Sequence, residues 1–230
     1  MRLSIVIPVL NEGQQVDACL ARLSGPRGAG HEIIVVDGGS ADQTANQARP
    51  YADVVLNSRP GRARQMNAGA AAAAGDVLLF LHADSRLPDR AAQHIAHAMT
   101  QSRKRWGRFD VRMANDRPML RLVTTLMNWR SRLTGIATGD QGLFVERGLF
   151  QSVGGFPAIP LMEDIAMSAR LKKIERPICL RATITTSSRR WEKHGIWPTI
   201  WLMWRLRFAY WRGADPAALA RVYYPNLELD

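Results

Sequence analysis

Two polar side chains, His82 and Asp84, follow directly after the apolar run Val77–Leu81. Residues two apart in a strand point to the same side, so both side chains point together where a buried strand ends. Ligands of open α/β sheets bind outside the carboxyl ends of the strands, and a carboxylate with a polar neighbour there is a candidate ligand for a hard cation. The alternative is a turn in which Asp84 and Ser85 cap a helix that begins near Pro88. Taken alone, this stretch favours the cap.

More acidic and polar residues come just beyond other predicted strands or in the later half of the chain. They are Asn11 and Glu12 after the first strand, Asp37 after the second, and Glu163 and Asp164 in the later half. Arg62 and Arg64 lie in the basic segment "RPGRARQ", which we expect to be a loop. Carboxylates beside arginines suit a metal-bound diphosphate, because the metal takes carboxylate and phosphate oxygens and arginine binds phosphate through paired hydrogen bonds. For each residue alone, a turn, a cap or a solvated loop is the alternative.

Apolar periodicity predicts the elements that would bring these residues together. The predicted strands cover residues 4–10, 32–36, 54–56 and 76–81, and the predicted helices cover 14–23, a segment ending near 48, and the alanine-rich stretch "MNAGAAAAAG". Ser40 or Asp42 is a candidate cap for the second helix, and "SGPRGAG" is expected to be a loop. Alternating strands and helices of this kind indicate an α/β fold with a mostly parallel central sheet.

The alternation weakens after about residue 89. We expect helices over 89–102, 119–132 and 163–173, and strands over 106–114 and 179–186. The segment "GDQGLFVERGLFQSVGGFP" combines a strand, a short helix and glycine turns. The last third of the chain is rich in tryptophan and arginine.

The composition limits the class of partner. The 230 residues carry 31 Lys+Arg against 20 Asp+Glu, a formal net charge of +11, which favours nucleotide phosphates, nucleic acid or an anionic membrane surface. Cys19 and Cys179 are far apart and form no C-x-x-C, so we expect neither a zinc site nor a disulfide framework but a reducing compartment such as the cytoplasm. No stretch reaches the roughly 18 uncharged apolar residues expected of a membrane span.

The order of five motifs identifies a resemblance. No Walker-type P-loop and no G-x-G-x-x-G is present. The segments "SIVIPVLNE", "IIVVDGGSADQT", "ARQMNAGAAAAAGDVLLFLHAD", "VGGF" and "EDIAMSARL" resemble the GT-A glycosyltransferases of family 2 over roughly residues 3 to 175. The segments "GRARQMNAGA", "LHADS", "SSRRWEKHG" and "GADPAALARVYYP" are most similar to a small subfamily, the radical-SAM/selenodomain-associated transferase 2 group.

The resemblance implies a GT-A (Rossmann-like) catalytic domain over residues 1–186, with a nucleotide-binding half (1–88) and an acceptor half (89–186), and a C-terminal helical extension over 187–230. It also implies a role for each matching residue. Asp84 matches the metal-binding aspartate, with Mn²⁺ or Mg²⁺ as the cofactor, Asp164 the usual base and Glu163 its neighbour. Asp42 matches a position that braces the donor loop. The implied donor-binding residues are Pro8, Val9, Asn11, Glu12, Asp37, Arg64, His82 and Ala83.

The chain departs from the family pattern at two positions. His82 stands where the Asp-x-Asp motif has its first acid, which puts the metal requirement in question. Ser187 stands where processive members carry the glutamine of Gln-x-x-Arg-Trp, so we expect no processive polymerisation. Arg190 and Trp191 are then candidates for the acceptor pocket. Asp140 and Gln141, in "GDQG", are further candidate acceptor contacts.

The predicted reaction is transfer of a sugar from a nucleoside-diphosphate sugar to a hydroxyl. The leaving diphosphate gains negative charge, which a cation at Asp84 and nearby arginines would stabilise, and Asp164 would take the proton of the attacking hydroxyl. One base and direct displacement imply inversion at the anomeric carbon. The alternative is a non-catalytic protein with a nucleotide-sugar fold that acts at a membrane surface or on nucleic acid. The complete set of acids argues against it, and we expect no nucleic-acid partner.

A C-terminal helix is predicted over residues 200–212. Leu202, Leu206 and Ala209 share one face at helical spacing. The other two stripes combine tryptophan or phenylalanine with arginine: Trp204, Arg207 and Trp211, and Trp201, Arg205, Phe208 and Arg212. This pattern suits a helix in a membrane interface at the inner face of the membrane, with a lipid or lipid-linked acceptor. Packing on the catalytic domain is the equally weighted alternative.

Overall fold

The computed structural model describes residues 1–224, and its centre is one seven-stranded sheet. The order across the sheet is β3-β2-β1-β4-β6-β5-β7. The strands are β1 (Leu3–Val9), β2 (Glu32–Asp37), β3 (Val54–Asn57), β4 (Val77–Phe80), β5 (Trp106–Met113), β6 (Phe144–Glu146) and β7 (Ile178–Thr186). Strands β1 to β4 are parallel, β6 is antiparallel to both β4 and β5, and β7 is parallel to β5. The predicted α/β class with a mostly parallel sheet is confirmed.

Helices cover both faces of this sheet. Up to residue 174 they are α1 (Val16–Ala21), α2 (Ser24–Gly28), α3 (Thr44–Ala48), α4 (Arg62–Ala72), α5 (Ala91–Ser102), α6 (Pro118–Thr134), α7 (Arg147–Ser152) and α8 (Glu163–Ile174). Alternate residues of β1 enter two separate apolar clusters: Ile5 and Ile7 pack with α1 and α5, and Val6 packs with α4 and α8. The sheet is therefore buried on both faces, as parallel sheets require.

The alanine-rich helix α4 lies very close to the sheet. A Cβ atom at Gly69 would come within 2.4 Å of Val6 Cγ1, so no larger residue fits between helix and strand. This close packing sets the position of the N-terminal end of α4, where Arg62 begins the helix.

Two local predictions were wrong, and so was the alternative interpretation of Asp84 and Ser85 as a helix cap. The segment "SGPRGAG" contains the short helix α2 instead of being only a loop. Arg62 and Arg64 lie in the first turn of α4 and not on a loop before it. Asp84 and Ser85 do not cap α5, which begins at Ala91. The physical reason is a strand pairing: Arg86 N donates to Thr185 O at 2.8 Å and Arg86 O accepts from Thr185 N at 3.0 Å, so the chain joins β7 before it can turn into a helix.

Within residues 1–224, three helices follow β7, and the last two of them pack on the segment that precedes α8. They are α9 (Arg189–His194), α10 (Ile196–Trp211) and α11 (Pro216–Tyr223). Helix α10 begins four residues earlier than predicted and holds Pro198 in its first turn, where a missing N–H leaves no intrahelical bond unmade. A third apolar cluster joins Leu206 of α10 and Leu219 of α11 to Leu161 and Met162.

Leu202 and Ala209 pack against the third cluster from the same face of α10 as Leu206, so the predicted apolar face of this helix is confirmed. No helix among residues 1–224 combines the length and the apolar character that crossing a bilayer needs. The end of the predicted extension, residues 225–230, lies outside the described residues.

Candidate active site

The donor side of the candidate site forms where β1 and β2 end next to each other. Val9 lies beside Asp37 in the strand register. Asp37 is buried and accepts hydrogen bonds from the Ser40 N–H, at 3.0 Å, and from the Ser40 hydroxyl. Ser40 Oγ in turn accepts from Asn11 N at 2.8 Å, and Asn11 Oδ1 accepts from Ala41 N at 2.9 Å. The loops after the two strands are therefore tied into one rim that contains the predicted residues Asn11 and Asp37.

Asp42 ties α3 to the β1 loop. Its carboxylate accepts from the Thr44 N–H at 3.0 Å and from the Gly13 N–H at 3.1 Å, and Thr44 Oγ1 accepts from Glu12 N at 2.9 Å. Hydrogen bonds to its carboxylate lower the pKa of Asp42, and the bond that the Thr44 hydroxyl donates has the largest effect. The contacts match the bracing position that the resemblance implies, and they hold the backbone of Glu12.

Gln65 also holds the donor rim, and the sequence analysis missed it. Its buried side-chain amide donates to Val9 O at 2.8 Å and to Val36 O at 2.9 Å, so it joins the ends of β1 and β2 from the first turns of α4. The available signal was its position in α4, three residues after Arg62 and therefore on the same helical face.

Glu12, which follows β1, and Asp84, which follows β4, lie within electrostatic range of each other. Burial raises the pKa of Glu12, the charge of Asp84 raises it further, and the charges of Arg189 and Arg62 act against both. Asp84 lines an open cleft of about 370 Å³ together with Ser187, Arg189, Arg190, Lys193 and His194. Arginine and lysine side chains around a carboxylate fit a diphosphate, because the cations bind its oxygens.

His82 occupies the position of the missing acid and contacts another acid instead. Its Nδ1 lies 3.4 Å from Asp140 Oδ1. Burial acts to raise the pKa of Asp140, but the hydrogen bond and charge of His82, together with Arg62 and Arg190, outweigh it, and the pKa of Asp140 is lowered. A residue 58 positions further along the chain thus brings a carboxylate beside the imidazole.

The short turn Gly139–Gln141, a 3-10 helix, connects this pair to the predicted base. Gly139 N donates to Asp164 Oδ2 at 2.8 Å, and the next residue, Asp140, contacts His82. A Cβ atom at Gly139 would lie 2.6 Å from His82 Cε1 and 2.6 Å from His82 Nε2. Any side chain at position 139 would displace the imidazole or the turn, so Gly139 is a positioning residue that the sequence analysis attributed to a turn.

Asp164 and Glu163 begin α8 and lie together under the turn. Asp164 Oδ1 accepts from Ile165 N at 2.7 Å, and Met162, just before the pair, has a left-handed backbone with φ of 69°. Burial raises the pKa of Asp164, and the bonds from Gly139 and Ile165 partly oppose it. Burial and the charge of Asp164 also raise the pKa of Glu163, which lies 4.0 Å from Arg62. A small cavity of about 10 Å³ is lined by His82, Gly139 and the two acids.

The other predicted site residues divide into two groups. Pro8, Val9 and Ala83 contribute backbone at the strand ends, where Val9 O accepts from Gly38 N at 2.9 Å. Arg190 lies in the cleft and stacks on Tyr223, with Cζ 3.7 Å from the ring centroid. Trp191 is the next residue of α9 and is half-buried.

Two of the predicted residues make no contact with the acids of the site. Gln141 is fully buried, with its side chain bonded to Asn128 at 3.3 Å and to Thr138 N at 3.2 Å, so it holds the turn together. Arg64 is exposed and has no hydrogen bond or ion pair to the site among residues 1–224, whereas Arg62 contacts Glu163.

The residues fit a cation only when a substrate completes its coordination. Within residues 1–224 no group of three or more His, Cys, Asp and Glu side chains is arranged to hold a metal ion. Magnesium in nucleotide enzymes commonly takes one or two carboxylates and completes its shell with substrate phosphates and water. Asp84, at the edge of a basic cleft, fits that kind of site.

The sequence matches one protein family and resembles curated relatives in part of their length. The model of Glycosyl transferase family 2 matches residues 4–150. Over 85 residues the chain is 36% identical to the uncharacterized glycosyltransferase Mb0553 of Mycobacterium bovis, covering 36% of this chain and 37% of that protein. Over 153 residues it is 32% identical to undecaprenyl-phosphate 4-deoxy-4-formamido-L-arabinose transferase of Pseudomonas fluorescens, covering 60% and 44%. The chain therefore spans less than half of the length of either relative.

Solved structures share the fold. Residues 1–349 of Staphylococcus aureus TarS, in complex with UDP-GlcNAc, match with a TM-score of 0.65 at 18% identity, covering 81% of this chain and 58% of that one. The mannosyltransferase PcManGT from Pyrobaculum calidifontis, in complex with GDP-Man and Mn²⁺, matches with a TM-score of 0.64 at 21% identity, covering 90% and 61%. Both matches identify the architecture as GT-A-like.

Proposed function

Because this chain belongs to glycosyl transferase family 2, we propose that it transfers a sugar, with inversion, from a nucleoside-diphosphate sugar to a hydroxyl acceptor. One observation carries the proposal: the turn Gly139–Gln141 lies between a basic, carboxylate-bearing cleft and a half-buried acid, Asp164. Gly139 holds Asp164 while Asp140 holds His82 next to the strand end that carries Asp84. The proposal assigns the base and ribose of the donor to residues 1–88, its diphosphate to the cleft between Asp84 and α9, and the acceptor to residues 89–186.

The donor would lie across the rim and the cleft. Asp37 and the Asn11–Ser40 rim would contact the base and ribose, and Arg189, Arg190 and Lys193 would neutralise the diphosphate. A divalent cation, Mn²⁺ or Mg²⁺, held by Asp84 would add positive charge at the leaving diphosphate. His82 is held by Asp140, so at this position an imidazole paired with a distant carboxylate takes the place of the usual acid.

Asp164 is the proposed base. It is half-buried, and two N–H donors fix both of its carboxylate oxygens in place. Burial raises its pKa, which strengthens it as a proton acceptor when it is ionised. Glu163 and Arg62 lie behind it and set its electrostatic surroundings. A single base opposite a leaving diphosphate supports direct displacement, and hence inversion.

Helix α10 supports a membrane-associated role. While Leu206 packs inward, an aromatic stripe on the opposite side is exposed by 62–77%: Trp197, Trp201, Trp204, Phe208 and Trp211. A contiguous aromatic stripe on a protein of formal net charge +11 fits a helix lying in an anionic membrane interface. We place the protein at the inner, cytoplasmic face of a membrane, with a lipid or lipid-linked acceptor. The motifs that resemble the radical-SAM/selenodomain-associated transferase 2 group do not name that acceptor.

A donor panel tests the proposal. Thermal unfolding is measured with nucleotide sugars of uridine and guanosine, with and without Mn²⁺, and any stabilising donor is then assayed for hydrolysis. A ligand at 100 times its Kd stabilises by about 2.7 kcal/mol, which is about 5 to 10 °C for a chain of this size.

Asp84→Ala is compared with Asp89→Ala, an exposed aspartate five residues away. We expect only Asp84→Ala to remove the metal-dependent part of the stabilisation while the fold survives. Equal stabilisation of both variants would refute the role of Asp84. Binding without any donor hydrolysis would favour the non-catalytic alternative.

A further inference from the structure

Tyr223 lies at the end of the buried face of α11. This helix starts after Asp215, whose carboxylate accepts from Ala217 N at 3.1 Å. Leu219 and Ala220 are buried in the third apolar cluster, and Tyr223, four and three residues later on the same helical face, packs against that cluster. The tyrosine belongs to the segment "GADPAALARVYYP", to which the proposed function gives no role.

The ring of Tyr223 contacts Arg190 and Tyr224. The Arg190 guanidinium lies against the face of the ring, with Cζ 3.7 Å from the ring centroid. The ring of Tyr224 stands nearly perpendicular to that of Tyr223, at 87° and with the centroids 4.6 Å apart. Within residues 1–224 the Arg190 guanidinium forms no ion pair and donates no hydrogen bond, so the contact with Tyr223 is what holds it.

An aromatic partner leaves the charge and the hydrogen-bond donors of Arg190 available. Burial and, to a smaller extent, Tyr224 raise the pKa of Tyr223 to about 12, so its phenol is uncharged at neutral pH. A neutral ring attracts a guanidinium through the negative potential of its face, and it takes up none of the N–H groups, which lie in the guanidinium plane. A carboxylate would instead occupy two of those N–H groups and cancel the charge.

The backbone of Arg190 is fixed as well. Arg190 lies in α9, which follows the N-cap residue Ser188. Ser188 Oγ and Asn115 Nδ2 both donate to Glu192 Oε1 at 2.8 Å, and these bonds tie α9 to the segment after β5. Because its backbone and its guanidinium are both held, Arg190 loses less conformational freedom when an anion binds in the cleft that it lines, and such preorganisation strengthens binding.

Arg190 lies near the turn that holds the proposed base. Its charge contributes to the lowered pKa of Asp140, so it is within electrostatic range of the turn whose Gly139 N–H donates to Asp164. In a nucleoside-diphosphate sugar the β-phosphate carries the sugar, so it is the phosphate that must lie nearest the base. This position favours the β-phosphate over the α-phosphate as the partner of Arg190.

We propose that Tyr223 is a positioning residue for diphosphate recognition, and that its ring holds the Arg190 guanidinium for the β-phosphate of the donor. This inference rests on the proposed function, which places the diphosphate in the cleft beside Asp84. It gives α11 a part in donor discrimination, although α11 lies outside the residues 4–150 that the family model matches. A nucleoside monophosphate lacks the β-phosphate, so its binding does not depend on Tyr223.

The test compares UDP with UMP, and GDP with GMP, by isothermal titration calorimetry on the full chain with Mn²⁺. Tyr223→Leu keeps an apolar side chain against the third cluster but removes the aromatic face, and Tyr223→Phe keeps that face without the hydroxyl. Arg190→Met removes the cation, and its combination with Tyr223→Leu completes a double-mutant cycle. Tyr51→Leu is the matched control, because Tyr51 is exposed and lies just before β3, at the edge of the sheet opposite the site.

We expect Tyr223→Leu to weaken binding of the diphosphate roughly threefold to thirtyfold, the range that a cation–π contact supports, and to leave binding of the monophosphate unchanged. Tyr223→Phe and Tyr51→Leu should bind both nucleotides as the native protein does. In the Arg190→Met background, Tyr223→Leu should have no further effect.

Equal losses for monophosphate and diphosphate, or additive losses in the cycle, would overturn the inference. A loss in Tyr223→Phe as large as that in Tyr223→Leu would overturn the role of the ring face. If the native protein binds a diphosphate and Tyr223→Leu binds it as tightly, this inference fails and the proposed function stands. If the native protein binds neither UDP nor GDP, the proposed donor site itself is refuted.

Discussion

Replacing Gly139 by alanine should disrupt the site more than its size suggests. The new Cβ atom would meet His82 Cε1 and Nε2 at 2.6 Å, whereas ordinary contacts begin near 3.4 Å. The imidazole, or the turn itself, must therefore move by about 0.8 Å to restore an ordinary contact. Either movement disturbs the His82–Asp140 contact at 3.4 Å or the Gly139–Asp164 bond at 2.8 Å.

The magnitude follows from that displacement. A misplacement of about 1 Å reduces turnover roughly 10²-fold, and overpacking of a well-packed region costs about 1–3 kcal/mol of folding stability. For a chain of this size the second effect is a loss of several °C in Tm. We therefore expect Gly139→Ala to remain folded, with donor hydrolysis and transfer reduced on the order of 10²-fold.

A double-mutant cycle separates this explanation from general damage. In a His82→Ala background the clash is absent, so adding Gly139→Ala should cost much less than it does in the native protein. Gly28→Ala is the matched control, because nothing lies within 4 Å of its Cβ position. Additive losses of Tm in the cycle, or native activity of Gly139→Ala, would refute the geometry of the turn.

Two further predictions follow from the base and from the exposed helix. Asp164→Asn should bind donor normally but lose on the order of 10²-fold in transfer. Because burial raises the pKa of Asp164, the native rate should fall as the pH is lowered through that raised pKa and this limb should vanish in the variant; an unchanged pH profile would move the base elsewhere, with Glu163 as the first candidate. The native protein should co-sediment with anionic liposomes at low salt, and Trp204→Ser with Trp211→Ser should release it without loss of donor binding. A native protein that stays in the supernatant would contradict the interfacial role of α10.

The sheet and the donor rim were predictable because their signals are local. Each parallel strand is an apolar run that ends in a polar residue, and strands that follow one another in a parallel sheet end at the same edge. Asn11 and Asp37 are therefore joined at that edge through Ser40. The placement of β6 between β4 and β5 was not predictable, since it is a three-residue strand whose antiparallel pairing depends on contacts with distant residues.

One helix boundary places Arg62, and not Arg64, beside the acids, so the donor-binding role of Arg64 stays a prediction. When α4 begins at Arg62, the residues that face the sheet follow at helical spacing, as Gln65, Met66 and Gly69 do. Arg62 shares that face and lies 4.0 Å from Glu163, although its side chain is 45% exposed, whereas Arg64 points about 200° around the helix from it. Helix boundaries are the least reliable part of a sequence interpretation. Here the position at which α4 begins decides which of the two arginines lies beside Glu163.

The contact between His82 and Asp140 could not be read from either residue alone. The two are 58 positions apart, and the turn that joins them forms only after β6 has entered the sheet. The sequence shows that position 82 lacks the first acid of the Asp-x-Asp motif, but it does not show that Asp140 places a carboxylate beside His82. A glycine on each side of Asp140 and Gln141 was the available signal, because a glycine that cannot be replaced marks a close approach of another group.

The two interpretations of helix α10, packing on the catalytic domain and lying in a membrane interface, concern opposite faces of the helix. Its aliphatic face packs, through Leu206, on Leu161 and Met162. These two residues directly precede Glu163 and the proposed base, Asp164. Its aromatic face is exposed. Burial and the charge of Asp164 raise the pKa of Tyr210 on the same helix, so this helix also reaches within electrostatic range of the base. If the aromatic face lies on a bilayer, Asp164 lies close above that bilayer, and an acceptor anchored there needs no long excursion to reach it.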